Sequence, residues 1–82
     1  MSLTTAVLEE IRLLSLFNPE SALAGIKVHH TASAEDIAAT RRLFDKGLIT
    51  LPDGGYPTDL GQEAIRHLDS VVRILASAGD LN

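Results

Sequence analysis

A chain of 82 residues makes one domain, at a size where a single core leaves only a few kcal/mol of net stability. Its hydrophobic content of 45% argues against disorder, and with Phe17, Phe44 and Tyr56 as the only aromatics the core must be built from Leu, Ile, Val and Ala. The lack of cysteine excludes a disulfide framework and a thiolate metal site. The formal net charge of −4 disfavours a general polyanion binder, because nonspecific nucleic-acid affinity comes from Lys and Arg neutralising phosphates.

The N-terminus has no basic stretch, and Glu9, Glu10 and Arg12 interrupt any apolar run, so no signal peptide is expected. No segment approaches the roughly 18 apolar residues of a membrane span. A soluble, cytoplasmic domain over residues 1–82, with no membrane partner, is the expectation. Residues 3–17 predict an amphipathic helix capped by Ser2, Thr4 or Thr5, with Leu3, Val7, Ile11 and Leu14 on its stripe and Leu8, Leu13 and Phe17 widening it. Asn18-Pro19 ends it, and Pro19–Ala24 predicts a single helical turn capped by Asn18. After Gly25, the alternation of Ile26-Lys27-Val28-His29 predicts a short strand that must pair with a later one.

Ser33-Ala34-Glu35-Asp36 resembles a capping box and opens a second helix, which Gly47 closes in a left-handed exit. On its wheel Ile37, Thr40, Leu43 and Phe44 face the core, while Glu35, Arg42 and Lys46 fall opposite. Leu48–Leu51 is β-prone, Pro52-Asp53-Gly54-Gly55 is turn chemistry, and Tyr56 opens a return strand that Pro57 cuts short and places at an edge. Thr58 caps the last helix, where Leu60, Ala64, Leu68, Val71 and Leu75 recur at helical spacing up to Gly79. Asp80-Leu81-Asn82 is expected to fray. The expected core is Val7, Ile11, Leu14, Phe17, Ile26, Val28 and Ile37 from the first half. The second half adds Leu43, Phe44, Leu48, Leu60, Ile65, Leu68, Val72 and Leu75.

The run LFDKGLITLPDGGYPTDLGQEAI resembles the C-terminal half of a winged helix-turn-helix domain. The resemblance is carried by Leu43, Asp45-Lys46, Gly47-Leu48-Ile49, the tip Asp53-Gly54-Gly55, Tyr56, Thr58 and Gly61. It implies a recognition helix over Ser33–Lys46, a wing at the tip, and Gly61 as a point of close helix–sheet packing. The whole chain, including GIKVHH, also resembles a family of small bacterial proteins of about this length whose function is not established. The fold expected is α+β: a small winged-helix-like domain of three main helices with a short antiparallel hairpin or three-stranded sheet.

Two functional classes follow. In the first, a regulatory winged-helix-like protein binds duplex DNA, with Lys27, Arg41, Arg42 and Lys46 contacting phosphates or base edges. Against it, Glu35 and Asp45 share the helix surface, which then reads as a solvated face. In the second, the chain is a protein-interaction or homodimerisation module. Leu68, Val72 and Leu75 meet a symmetry mate, with Arg66, Asp69 and Arg73 along one edge, unless the first helix covers that face within one chain. No catalytic group is indicated, since the serines sit in helical or capping contexts without a base partner and the carboxylates are dispersed. His29, His30 and His67 lack metal-ligand spacing, and no cofactor motif is present.

Overall fold

The computed structural model describes residues 1–79, and the terminal Asp80-Leu81-Asn82 lies outside them. Three helices and three strands follow in the order α1 (Thr5–Leu14), β1 (Ile26–Lys27), α2 (Ala34–Asp45), β2 (Ile49–Leu51), β3 (Gly54–Pro57) and α3 (Asp59–Gly79). The strands form one antiparallel sheet in the order β1-β3-β2, and the α+β class expected from the sequence is the one found.

Thr4 is the cap of α1, its hydroxyl accepting from the Val7 amide at 3.2 Å. The helix stops three residues before its expected end. The Leu16 and Phe17 amides instead turn back to the carbonyls of Leu13 and Leu14, and this tighter last turn still leaves Phe17 buried. Pro19–Ala24 forms no helix. The Asn18 side chain accepts from the Glu20 amide at 2.9 Å as the expected cap would, but the Ser21 and Ala24 amides bond to the Asn18 and Ser21 carbonyls at 3.2 and 3.5 Å, two successive turns in place of a helical one. β1 is also shorter than Ile26–His29. The Ala32 amide bonds to the His29 carbonyl at 2.9 Å, so the chain must leave the sheet to enter α2.

Ser33 caps α2 through the Asp36 amide at 3.1 Å, and Asp36 itself pairs with Arg12 of α1, which ties the start of α2 to the end of α1. At the other end the Gly47 amide bonds to the Phe44 carbonyl and the Leu48 amide to the Leu43 carbonyl. This is a Schellman closure that requires the left-handed φ of +81° found at Gly47. β2 then pairs with β3 across the Pro52-Asp53 turn. Gly54 and Gly55 belong to β3 rather than to the turn, and Ile26 and Lys27 lie opposite them.

The expectation that Pro57 marks an edge strand is corrected, since β3 is the central strand. The neighbours of Pro57 explain how this is tolerated. Tyr56 donates to the Thr50 hydroxyl and Thr58 to the Leu48 carbonyl, both towards β2. Alternation along the strand therefore turns the Pro57 nitrogen to the other side, where the pairing with β1 has already ended at Gly55.

Thr58 joins hairpin to helix. Its hydroxyl donates to the Gly47 carbonyl at 2.6 Å and accepts from the Gly61 amide at 3.1 Å, capping α3 at its start. One turn on, a side chain at Gly61 would strike the Leu48 carbonyl oxygen, so α3 and the strand entry touch backbone to backbone there. The buried core is Leu13, Leu14, Phe17, Ala39, Leu43, Ile49 and Ile65, with Ile26, Val28, Phe44, Leu48, Ala64 and Leu68 packed around it. Four expected core residues are exposed instead: Ile37, Leu60, Val72 and Leu75. For Val72 and Leu75 the cause is geometric. α1 has ten residues against the 21 of α3, and so it covers only the nearer part of that longer helix.

Candidate interaction site

The four cations expected to meet nucleic acid separate into two groups. Arg42 and Lys46 do not lie on an open face of α2; they turn towards α1. Arg42 Nε donates to Glu10 Oε2 at 3.0 Å, and Arg42 Nη2 reaches Glu9 Oε2 at 3.4 Å and the Ala6 carbonyl at 3.3 Å. Lys46 Nζ takes the second oxygen of Glu10. Glu10 is only 6% exposed, the one carboxylate in the buried set. Burial pushes its pKa up, but hydrogen bonds and charge from Lys46 and Arg42 together outweigh this and hold it below the ordinary value. The two cations thus neutralise a buried carboxylate between α1 and α2. The sequence held a sign of this: Glu9-Glu10 on one helix and the Arg42/Lys46 pair, four residues apart, on another.

Arg41 and Lys27 point elsewhere. Arg41 pairs with Asp45 one turn along α2 at 3.2 Å and lies over the Phe44 ring, 5.9 Å from its centroid. With Ala34, Ile37, Ala38, Pro52 and Asp53 it lines a shallow depression between α2 and the hairpin tip. Lys27 lines a second depression with Val28, His29 and His30. Ile37 and Asp53 border both, so the two run together into one concave face. His67 is on α3 beside Glu63, away from His29 and His30. Among the described residues no group of three or more His, Cys, Asp or Glu gathers to hold a metal ion.

The residues expected at a dimer seam lie together. Leu68 is half-buried against the core, while Val72 and Leu75 continue its stripe and are 50% and 65% exposed. Val71 and Ile74 beside them are 51% and 68% exposed. At 1.5 Å per residue α3 is about 31 Å long. Its first half closes the core through Ile65, and an apolar groove follows where Leu14, Phe17 and Pro19 face Leu68 and Val72. Asp69 lines the groove and is bonded at 2.8 Å to Arg73, which lies 3.7 Å from Glu20. Beyond it every described side chain of α3 is exposed. Leu60, near the start of the helix, is half exposed. No described helix is long and apolar enough to cross a membrane.

Three helices and a three-stranded antiparallel sheet define the class: a small α+β domain. The model of a family of unknown function (DUF5669) matches residues 1–76, and the chain belongs to that family. No curated protein and no solved structure matches it.

Proposed function

We propose that this domain is a homodimerisation module, two copies pairing through the second half of α3. The observation that carries the reading is the uncovered stripe. Val71, Val72, Ile74 and Leu75, four large apolar residues within five positions, are each at least half exposed on a helix that runs past its own core. A patch of this kind costs solubility unless something covers it. Burying one such side chain fully is worth about 1.5–3 kcal/mol, so two copies together supply enough to offset part of the cost of association.

The spacing also favours an antiparallel pair. A two-fold axis passing between Val71 and Val72 sets Leu68 of one copy opposite Leu75 of the other, with the valines meeting at the centre. The polar edge of the seam carries both signs, Asp69 and Arg73, one helical turn apart. In an antiparallel pair this edge meets itself, and Asp69 comes beside Arg73 of the second copy. The duplex-DNA reading has less support. Two of its four cations are engaged by Glu10, and Arg41 is engaged by Asp45.

The chain has no cysteine, so single introduced thiols report the geometry directly. Val72→Cys, beside the proposed axis, should form a covalent dimer on mild oxidation. Leu75→Cys should not, because about 10 Å of helix separates its two copies, well beyond disulfide reach. Cross-linking at both positions would indicate a parallel pair, and cross-linking at neither would exclude this seam.

A further inference from the structure

We infer that Leu75 of the second copy fills the groove between the end of α1 and α3, so that the seam closes around a leucine held by both helices rather than along α3 alone. The inference rests on the α3 pairing proposed above and names what each copy's groove receives. The groove follows from the lengths of the helices. α1 stops at Leu14 and α3 runs on, which leaves a gap walled by Leu14, Phe17 and Pro19 on one side and by Leu68 and Val72 on the other. Ser15 and Asp69 are the only polar residues beside them. The gap has a volume of about 100 Å³, of the order of the void that deleting one large aliphatic side chain leaves in a core. An apolar void of this kind gains little from water, and its lining forgoes dispersion contacts until an apolar group enters.

The register selects the group that enters. With the two-fold axis between Val71 and Val72, Leu75 of each copy lies opposite Leu68 of the other, and Leu68 is part of the groove's lining. Leu75 shares a helix face with Leu68, Val71 and Val72, since the four follow the i, i+3, i+4, i+7 spacing. It is 65% exposed in one chain and so keeps most of its side chain to bury. Ile74 is exposed to a similar extent, 68%, but lies about 100° round the helix, off that face. The symmetry fills both grooves at once, one at each end of the seam.

The test is an isotope-filtered NOE experiment on the full chain, with equal parts of ¹³C-labelled and unlabelled protein mixed at the highest concentration that stays in solution. Contacts between copies should join the Leu75 methyls to the Phe17 ring and to Pro19, beside contacts between Val71 and Val72. Leu75→Ser should raise the dissociation constant for self-association by about tenfold or more, because each dimer loses two buried leucines, whereas Ile74→Ser should change it little. Contacts between Val71 and Val72 without any from Leu75 to Phe17 or Pro19 would overturn this inference and leave the seam standing. Equal weakening by the two serine variants would overturn it as well. No contact between copies at all would overturn both readings.

Discussion

An Arg42→Met/Lys46→Met double variant is expected to lose about 3 kcal/mol of folding stability, measured by urea denaturation near neutral pH. The loss does not come from missing surface charge. It comes from Glu10, which is 6% exposed and has both oxygens engaged by these two side chains. Without them the carboxylate must stay charged and unpaired in a poorly hydrated site or take up a proton, and either is unfavourable. The value lies at the low end for a stranded buried charge because Lys46 is half exposed and water reaches that end of the site. Adding Glu10→Leu to the double variant should recover most of the loss, since an apolar side chain suits a site with no cation. A triple variant no more stable than the double one would contradict the role of Glu10.

The pH dependence has a definite sign. In the wild type the folded-state pKa of Glu10 lies below its ordinary value of 4.5. Its contribution is therefore complete above that value and is lost as pH falls through the lower, folded-state pKa. In the Arg42/Lys46 double variant only burial remains, and burial raises the pKa. The dependence then reverses: the Glu10 contribution is present at acid pH and lost as pH rises through the raised value.

Gly61→Ala is expected to destabilise by about 3 kcal/mol or more, while Gly47→Ala costs only about 1 kcal/mol. The two glycines differ in what surrounds them. At Gly47 a Cβ would find open space, and only the left-handed φ of +81° opposes it. At Gly61 the φ is not the obstacle. The Cβ would collide with the Leu48 carbonyl, which is itself held by the Thr58 amide at 3.0 Å. Neither backbone can move without breaking the cap of α3 or the strand entry, so the clash has no cheap relief. Equal and mild effects of the two substitutions in urea denaturation would show that helix and sheet are not in the tight contact described.

Much of the local structure was legible because it is encoded by single residues. Thr58, Ser33 and Gly47 act as caps and closure as their chemistry predicts, and Gly61 makes the close approach that the winged-helix resemblance implied. The sheet was partly legible. The hairpin followed from its turn residues, but the length of β1 was not, because the turn at His29–Ala32 leaves no sequence mark as strong as proline. Core membership was read less well wherever it depended on the length of a neighbour. Val72 and Leu75 continue the buried stripe on a helical wheel, yet Val72 reaches only the groove beside Leu14, Phe17 and Pro19, and both residues stay at least half exposed. Leu13, Ala39 and Ile49 were missing from the expected core because a wheel cannot show which side of a wide stripe a neighbour covers, that a residue as small as Ala39 is fully buried, or that a short strand end is buried. Arg42 and Lys46 show the same limit for charge. A wheel places them opposite the core but cannot reveal that α1 brings Glu9 and Glu10 to that side.

Self-association through α3 is most directly tested by sedimentation equilibrium of the wild-type chain beside Val72→Glu and Leu75→Glu variants, over the widest concentration range the protein tolerates. The wild type should sediment with the mass of two chains, shifting towards one on dilution, and each variant should sediment as a single chain while keeping its fold. A wild-type chain that stays at the mass of one copy at the highest concentration, or variants that dimerise as well as the wild type, would contradict it.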